Sequence, residues 1–546
     1  MNPNDKPNFL DRNTIIAFAL ILVVWIGWSK YMDSKYPPAP ADTSATQQKA
    51  QNAAPNQASN TGGTTAPTNS EPGAAAAVAP ADQEERFVTY DNENLSFQIS
   101  SKGMGLKNVD VKKYKTRDEK PIILGAVSAN LPFATYLVGS EKPLDFVIEQ
   151  TAPEIFVGRA TINGMVIEKT MKVQAANYSI ETQIKATNIP EGFGGLSTTL
   201  SDPLQQSAGG GLFSSNYDHQ DWFIRHDNTK NRQLISAEHA VQVSHPNVTL
   251  AALSGHYFTL AVVDRSELLP RFESNVVQGA PTVTGRLVYQ PVSKPEAFNV
   301  NYVAYAGPKN FEILGNVDSN LPLVIDFGIF GFLGKPILWL LKALFGLMGN
   351  WGWAIIVLTI IVRLIVLPFN AYSFKAMKAM QKIQPEMTRI KEKYKDGTPE
   401  QRLQMNQEIM DLMKREKANP LSSCLPTLLQ LPVFFALFQV LGQSIELYRA
   451  PFGLWIQDLS VKDPYYVLPI LMGITMFIQQ KLTPTTMDPQ QAKIMLWVPV
   501  IFSVFMITLP SGLALYIFVS TLFGIIQQYI FMRDSQPVQS VKAAKA

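Results

Sequence analysis

The sequence predicts a polytopic α-helical membrane protein with six transmembrane helices and one large β-sandwich domain on the outer side of the membrane. Three observations predict this fold class. Six apolar runs have the length of membrane spans. Residues 85–320 alternate between apolar and polar positions, as half-buried strands do. Basic residues concentrate in one segment between two of the runs, which indicates the orientation of the chain.

One predicted span lies near the N-terminus and five lie in the C-terminal half. They are residues 14–28, 353–369, 421–442, 465–480, 494–509 and 513–531. We interpret the first as an uncleaved anchor because Trp25, Trp28 and Tyr31 resemble an interfacial aromatic belt. The Tyr36-Pro37-Pro38 sequence that follows poorly resembles a small-residue cleavage site.

The loops between these spans predict the orientation. Segment 370–420 holds eleven Lys and Arg residues against seven acids, whereas segment 443–464 holds only Arg449 and Lys462 as basic residues. Short cytoplasmic loops carry the excess of positive charge, so we expect the first segment in the cytoplasm. Both termini are then cytoplasmic, and residues 30–350 lie outside.

Composition divides the rest of the chain. The segment at 33–84 is rich in Ala, Pro, Gln and Ser and cannot bury enough apolar surface to offset its chain entropy, so we expect a disordered linker. A run at 334–349 has helical apolar spacing but is too short to span, which favours an amphipathic helix on the outer surface. The predicted domains are an anchor at 1–32, the linker at 33–84, the β-sandwich at 85–320, a linker with the surface helix at 321–350, a five-helix core at 351–533 and a short cytoplasmic tail at 534–546.

Segment 371–417 predicts a helical hairpin within the core. Apolar residues recur at spacings of three and four, and Asp396-Gly397 ends the first helix. Thr398, Pro399 and Gln401 have the pattern of a new helix start. The hairpin is also rich in methionine. Flexible thioethers suit a surface that accepts varied apolar partners, but they suit equally well the packing of the two helices against each other.

The composition argues against a reaction centre. Cys424 is the single cysteine and has no His or acid near it in its span, and the five histidines fit no metal-ligand spacing. Gly331 to Lys335 is too short for a phosphate-binding loop. We therefore expect no catalytic residue, no cofactor and no metal. A net charge of +3 gives no reason to expect nucleic-acid sequence recognition.

Arg363 is the most informative single residue. It lies deep in the second span, roughly 9 Å from the cytoplasmic end at a rise of about 1.5 Å per residue. The five C-terminal spans contain no Asp or Glu to neutralise it. A charge in hydrocarbon costs roughly 3 kcal/mol, so such a residue is by default a candidate functional site. The alternative interpretation is that Arg363 extends to lipid phosphates at the cytoplasmic surface.

Polar residues recur at a similar depth in all five C-terminal spans. They are Thr359, Gln430, Thr475, Ser503, Ser520 and Thr521. If these faces converge, they line a hydrated cavity that opens to the cytoplasm. Because the spans hold no titratable carboxylate or histidine, such a cavity favours binding over proton-coupled transport. The alternative is that the hydroxyls bond their own helices and that Gln430 makes an interhelical hydrogen bond.

Several motifs resemble the YidC-type membrane protein insertases of Gram-negative bacteria, which are related to the mitochondrial oxidase-assembly and chloroplast albino insertases. The motifs are Arg363 in the second span, Asn419-Pro420-Leu421, Gln430-Leu431-Pro432, Asp463-Pro464-Tyr465-Tyr466, residues 468–473 and Pro510-Ser511-Gly512-Leu513. The resemblance covers the whole chain and is strongest over 351–531.

The resemblance implies an insertase of the bacterial inner membrane with a five-helix core, a periplasmic β-domain and a cytoplasmic hairpin. It implies that Arg363 attracts the acidic or polar tail of an incoming segment and that clients contact the third and fifth spans. Together with the argument from depth, it gives as substrate-binding residues Arg363, Thr359, Gln430, Cys424, Leu431, Ser503, Phe505 and Tyr516. Members of this family often carry a second tyrosine directly after the one at 516, where this chain has Ile517.

The implied partners are nascent membrane proteins, the lipid bilayer, the Sec translocon and, through the hairpin, a translating ribosome or the signal recognition particle receptor. We expect nascent transmembrane segments to enter the membrane through the hydrated groove, alone or with the translocon. Hydrophobic transfer is itself favourable, so no ATP hydrolysis is expected. Two alternatives are a small-molecule or lipid transporter that uses the same groove, and a membrane-tethered carbohydrate-binding module.

Overall fold

The computed structural model describes residues 84–125, 130–205, 219–291, 296–394, 398–416, 421–483 and 489–532. These residues form two compact units, which we call the β unit and the helical unit. The β unit ends at Gly307 and the helical unit begins at Pro308. Residues 308–320 therefore group with the helices, whereas the predicted sandwich extended to residue 320. The predicted anchor and tail, and the predicted linker except Glu84, lie outside the described residues.

Eighteen strands occur among the described residues of the β unit. In chain order they are β1 (Phe87–Asp91), β2 (Leu95–Ser100), β3 (Leu106–Lys115), β4 (Pro121–Leu124), β5 (Thr135–Leu137), β6 (Val147–Ala152), β7 (Ile155–Ile162), β8 (Met165–Gln174), β9 (Ser179–Thr187), β10 (Leu196–Pro203), β11 (Gln220–His226), β12 (Thr229–Ile235), β13 (Val241–His245), β14 (Val248–Ser254), β15 (Phe258–Asp264), β16 (Arg271–Val276), β17 (Thr282–Tyr289) and β18 (Ala297–Pro308). The alternation that predicted strands falls in β8, β9, β17 and β18, where the prediction is confirmed.

The strands form three sheets. Their orders are β1-β2-β3-β4, β13-β16-β17-β10-β5 and β12-β11-β14-β15-β18-β9-β8-β7-β6. Paired strands run antiparallel, as in β8 and β9, where Glu168 lies opposite Lys185. Antiparallel sheets can bury one face and expose the other, which explains the alternation along each strand.

Trp222 packs across the interior from the nine-stranded sheet to the five-stranded sheet. Its ring lies 4.8 Å from the ring of Phe272, edge to face. Gly285 faces both rings, since a Cβ there would lie 2.7 Å from Cη2 of Trp222 and 2.5 Å from Cζ of Phe272. The two sheets are therefore packed face to face, as the predicted sandwich requires.

Lys169 of β8 joins all three sheets at one buried point. Its side chain is fully buried. Its Nζ donates to the main-chain oxygens of Gly103 (3.0 Å) and Met104 (3.2 Å), between β2 and β3. It also donates to the oxygen of Phe133 (2.7 Å) and to Oγ1 of Thr135 (3.1 Å), at the start of β5. Burial lowers the pKa of Lys169 to about 7.

Eight α-helices occur among the described residues of the helical unit. They are α1 (Phe311–Val317), α2 (Gly331–Met348), α3 (Trp351–Lys393), α4 (Pro399–Arg415), α5 (Leu421–Gln443), α6 (Val467–Leu482), α7 (Pro489–Phe505) and α8 (Ser511–Met532). Helices α3 and α5 to α8 cover most residues of the five predicted C-terminal spans. Many large apolar side chains on them are exposed, among them Ile365, Trp497 and Ile501, as expected of surfaces that face lipid.

Three helices among the described residues are long and apolar enough to cross a membrane. They cover Gly331–Met348, Trp351–Ala371 and Ser511–Met532. Shorter apolar helices cover Gln430–Gln443, Val467–Leu482 and Lys493–Thr508. The prediction that the run at 334–349 is too short to span is wrong by length, since α2 has 18 residues.

Contacts of α2 with the residues around it fix the place of its middle, while its role as a surface helix stays a prediction. Nζ of Lys342, in the middle of α2, lies 2.9 Å from Oε1 of Glu446. The same oxygen accepts from Nδ2 of Asn310 at 3.1 Å. Because Glu446 closely follows the end of α5, these contacts place the middle of α2 beside one end of the bundle.

The second helix of the hairpin starts where the sequence predicted, with Thr398 as its N-cap. Oγ1 of Thr398 accepts from the N–H of Gln401, and the Gln401 side chain accepts from the N–H of Thr398. This capping box confirms the predicted start of α4. The first helix differs from the prediction, because α3 continues without a break from the second span into the hairpin as one helix of 43 residues.

Most methionines of the hairpin pack its two helices together. Met380 and Met387 are buried in the cluster between α3 and α4, and Met405 and Met413 pack against it. Met410 is exposed. Of the two interpretations of the methionines, packing therefore describes most of them.

Candidate functional site

The side chain of Arg363, on α3, faces α8, and its guanidinium forms a hydrogen bond there. Its Nε donates to Oγ of Ser520 at 2.9 Å. Seven residues further along both helices, Nδ2 of Asn370 donates to Oε1 of Gln527 at 3.3 Å. Both pairs are separated by 157 residues. Helices α3 and α8 therefore run parallel and in register over this stretch.

Gly524 leaves space for the guanidinium. It lies one turn after Ser520 on the same face of α8. A Cβ at this position would lie 3.7 Å from Nη1 and 3.8 Å from Nη2 of Arg363, and 2.9 Å from Nε2 of Gln479 on α6. Helices α3, α6 and α8 therefore meet around the charged group.

A second polar contact joins α5 to the same face of α8. Nε2 of Gln430 donates to Oη of Tyr516 at 3.4 Å. Tyr516 is buried and lies one turn before Ser520. This is the interhelical hydrogen bond that one interpretation of Gln430 predicted. The arginine site, as we name it, consists of Arg363, Gln430, Gln479, Tyr516, Ser520 and Gly524.

The described residues of the arginine site include a cation and no carboxylate. A guanidinium carries five N–H donors, and the Ser520 hydroxyl takes one of them. A neutral hydroxyl satisfies a donor but does not cancel the charge. An acidic group that reached this site would add ionic attraction to its hydrogen bonds, and a carboxylate can bind a guanidinium through two parallel N–H donors.

Apart from Ser520, the hydroxyls predicted to line the cavity bond to main-chain oxygens. Thr359 is fully buried, and its Oγ1 donates to the main-chain oxygen of Ile355 in its own helix at 2.6 Å. Thr475 and Thr521 likewise bond their own helices. Oγ of Ser503 on α7 donates to the main-chain oxygen of Pro469 on α6 at 2.6 Å. A substrate-binding role for Thr359 and Ser503 stays a prediction.

Three predicted contact residues lie on α5 and α7. Leu431 directly follows Gln430 and is 42% exposed. The side chains of Cys424 and Phe505 lie outside the described part of the structure. Substrate contact by all three stays a prediction.

Sequence reasoning missed a polar group near the C-terminal end of α8. Gln527 and Asn370 are buried and bond each other. Nε2 of the adjacent Gln528 donates to Oγ1 of Thr483, at the end of α6, at 3.2 Å. The signal was present, because two consecutive amides interrupt an otherwise apolar span. These bonds join α3, α6 and α8 nearer the C-terminal end of α8 than the guanidinium of Arg363.

Comparisons with known proteins cover nearly the whole chain. The model of the YidC periplasmic domain family matches residues 88–340, and that of the 60Kd inner membrane protein family matches residues 343–538. The membrane protein insertase YidC of Geotalea daltonii is 33% identical over 543 residues, which cover 95% of this chain and 98% of the relative.

Two further similarities cover different shares of the chain. The membrane protein insertase YidC of Citrifermentans bemidjiense is 49% identical over 249 residues, which cover 46% of this chain and 44% of the relative. A solved structure, an active YidC insertase with its first transmembrane domain resolved, is 18% identical with a TM-score of 0.38. That match covers 82% of this chain and 93% of the solved chain.

Proposed function

This chain belongs to the YidC family of membrane protein insertases, and on that premise we propose that its arginine site receives the hydrophilic tail of an incoming transmembrane segment. The observation that carries the proposal is the environment of Arg363. This cation lies within an apolar span, and its partner there is the neutral hydroxyl of Ser520. An acidic or polar tail of an incoming segment would supply the acceptors that the guanidinium of Arg363 can still bind.

Hydrophobic transfer supplies the free energy of insertion. A segment of about twenty apolar residues gains several kcal/mol on entering hydrocarbon, so ATP hydrolysis is not required. The unfavourable part is the tail, because a carboxylate in hydrocarbon is costly. Arg363 lowers that cost by binding the carboxylate inside the bundle. Ser520 holds the guanidinium in place between clients and competes only weakly for it, since a neutral acceptor bonds less strongly than a charged one.

Release into lipid is proposed to occur beside α5 and α7. Gln430 contacts Tyr516 in the arginine site, whereas the next residue, Leu431, is exposed on the outside of the helix. A polar contact and an apolar outer surface thus lie side by side on α5. A client whose tail is held at the arginine site could place its apolar segment against this surface and move into the bilayer.

The proposed setting is the bacterial inner membrane, with the β unit in the periplasm and both termini and the hairpin in the cytoplasm. The excess of basic residues in the hairpin supports this orientation. On α2, the exposed Phe332, Trp339 and Leu347 suit contact with the outer lipid interface. Leu403 and Met410, both exposed on α4, are the surface we propose for a ribosome or its targeting receptor. Cooperation with the Sec translocon is part of the same proposal.

The test uses two matched clients and two substitutions of Arg363. The clients are single-span proteins whose short outer tails differ only in carrying Asp or Asn. Arg363→Ala should lower insertion of the Asp client about tenfold, equivalent to the loss of about 1.4 kcal/mol, and should affect the Asn client much less. Arg363→Lys should retain most activity, since it keeps the charge.

Two outcomes would count against the proposal. Full insertion of the Asp client by the alanine variant would remove the electrostatic role. Equal loss for both clients, in a variant that accumulates normally, would assign Arg363 to packing of the bundle. Ser520→Ala is the matched control, because it removes the neutral partner and leaves the cation in place.

A further inference from the structure

A groove of about 440 Å³ lies on the surface of the helical unit, between α6 and α7. Its walls are almost entirely apolar, and most of their side chains are exposed. They include Ile470, Ile474 and Phe477 of α6 and Trp497, Val500 and Val504 of α7. We call this the α6–α7 groove. No residue of the arginine site lines it.

The floor of the groove is formed where α6 and α7 come close together. A Cβ at Gly473 would lie 2.7 Å from Oγ of Ser503, so a glycine at this point of α6 lets the two helices approach. The same hydroxyl donates to the main-chain oxygen of Pro469 at 2.6 Å. Because a serine hydroxyl has one hydrogen, this bond leaves the floor without a donor for a polar ligand. The groove therefore suits a hydrocarbon chain.

The groove is narrow in comparison with a helix. From Pro469 to Phe477 it is about 12 Å long, at a helical rise of about 1.5 Å per residue. Together with the volume of about 440 Å³, this length gives a mean cross-section of roughly 40 Å². A helix with its side chains is about 10–12 Å wide and has about twice this cross-section or more. The groove thus fits a single acyl chain better than it fits a transmembrane segment of a client.

Both walls of the groove lead to a lysine at the same end. Lys481 lies four residues after Phe477 on α6, and Lys493 lies four residues before Trp497 on α7. Residues four apart share a face of a helix, so each lysine continues the line of residues that forms its wall. Both lysines are exposed, and neither forms an ion pair within the described part of the chain. An apolar groove that ends at two unneutralised cations is complementary to an anionic amphiphile.

The two lysines lie on the hairpin side of the helical unit. Thr483, at the end of α6, accepts from Gln528 near the C-terminal end of α8, and α3 passes this end before it enters the hairpin. The distance along the helix from Pro469 to Lys481 is about 18 Å. One leaflet contributes about 15 Å of hydrocarbon to a bilayer. A lipid tail in the groove would therefore place its headgroup at the level of the lysines.

From these features we propose that the α6–α7 groove binds a phospholipid of the hairpin-side leaflet that carries a net negative headgroup. One acyl chain lies between α6 and α7, and the headgroup phosphate lies between Lys481 and Lys493. Lysines attract anionic lipids, and aromatic rings such as those of Phe477 and Trp497 are typical of the interface just inside the headgroups. Only the identity of this leaflet as the cytoplasmic one rests on the proposed orientation, and lipid binding does not depend on Arg363.

The test uses the full chain in nanodiscs of phosphatidylcholine with a small share of a photoactivatable lipid. The reactive group is in the acyl chain, and the headgroup is either anionic phosphatidylglycerol or zwitterionic phosphatidylcholine. Mass spectrometry measures the labelling of the α6 and α7 residues that line the groove. Labelling should be about tenfold higher with the anionic lipid. Lys481→Gln with Lys493→Gln should lower it to the zwitterionic level, and Lys375→Gln, at an exposed lysine of α3, should leave it unchanged.

A second pair of variants tests where the acyl chain lies. Val504→Trp fills the groove, whereas Ile501→Trp adds the same ring to the exposed surface of α7 outside the groove. Val504→Trp should lower labelling by the anionic lipid about tenfold, and Ile501→Trp should leave it unchanged. The same loss in both variants would show that the label reports the surface of α7 in general, which would overturn the proposal.

Equal labelling by the two lipids in the original chain would also overturn it, because that is the behaviour of ordinary lipid around the bundle. This comparison needs no variant, so it decides the question even if a substitution impairs folding. Loss of labelling when the Asp client is held in the bundle would assign the groove to clients instead. Arg363→Ala should be labelled as the original chain is. Failure of the lipid site and failure of the arginine site are therefore distinguishable.

Discussion

Gly524 of α8 faces the guanidinium of Arg363 at a position where a Cβ would lie 3.7 Å from Nη1. That distance is an ordinary van der Waals contact, so the smallest side chain fits beside the cation and larger ones do not. The same Cβ would lie 2.9 Å from Nε2 of Gln479, which is the far end of a flexible side chain. Gly524 thus sets how much space the charged group has.

Two substitutions of Gly524 should distinguish the effect of space beside the Arg363 guanidinium from the effect on the stability of the helix. Gly524→Ala should retain insertion and stabilise the helix by roughly 0.5–1 kcal/mol, because alanine loses less chain entropy than glycine in a helix. Gly524→Leu should displace the guanidinium and lower insertion of the Asp-tailed client more than that of the Asn-tailed client. Two quantities are measured for each variant: the insertion of both clients and the melting temperature. Equal insertion by the leucine and alanine variants would contradict the prediction.

The ion pair between Lys342 and Glu446 should hold α2 at the end of the bundle. Lys342→Met leaves the largely buried carboxylate of Glu446 with Asn310 as its neutral partner. We expect a loss of about 1–3 kcal/mol, less than for a fully buried pair, because Lys342 also keeps contact with water. The double variant with Glu446→Gln should recover part of this loss. A double-mutant cycle with no coupling energy would show that the pair does not fix α2.

The buried ammonium of Lys169 predicts that stability depends on pH in the alkaline range. Its pKa falls from 10.5 to about 7 on folding because of burial. Between pH 7 and pH 10.5 the unfolded chain therefore binds a proton that the folded chain has released. Stability of the β unit should rise with pH in this window, by up to about 1.4 kcal/mol per pH unit.

The measurement is the free energy of unfolding of the original chain minus that of Lys169→Met, at several pH values from 7 to 10. The subtraction removes the contribution of other groups that titrate in this range. A difference that stays constant with pH would show that Lys169 keeps its proton on folding. The four oxygen atoms around Nζ would then be sufficient to hold the charge.

The stacked rings of His226 and His245 predict a loss of stability in acid. Their centroids lie 4.4 Å apart at an interplanar angle of 23°. Burial, and then the neighbouring His226, lower the pKa of His245 below its ordinary 6.5. Stability is therefore complete above pH 6.5 and is lost as the pH falls toward the folded-state pKa.

His245→Phe keeps an aromatic ring in the stack and removes the titrating group. We expect the melting temperature to fall further between pH 7.5 and pH 5 in the original chain than in this variant. His245→Ala is the companion variant, since it removes both the ring and the charge. Equal acid sensitivity of the original chain and the phenylalanine variant would show that the effect does not come from His245.

Local patterns were predictable where neighbours along the chain decide the structure. The capping box of Thr398 and Gln401 joins residues three positions apart, and the prediction is confirmed atom by atom. Lys169 shows a signal that was missed. Ile167, Lys169 and Met171 occupy the buried positions of β8, so the alternation itself places a lysine in the core. The alternation does not show what would satisfy that lysine, because its partners lie 34 to 66 residues away.

By itself, the sequence determined the apolar runs of the core, a β-rich domain with four of its strands, and the presence of a cation at Arg363 with no acid in its own span. Each follows from residue types at fixed spacings, which act through a single helix or strand. Only the tertiary structure decided that Ser520, Gly524 and Gln479 surround the guanidinium and that Glu446 holds α2. These contacts depend on the register and crossing of separate helices, and packing in three dimensions sets that geometry over more than a hundred residues of intervening chain.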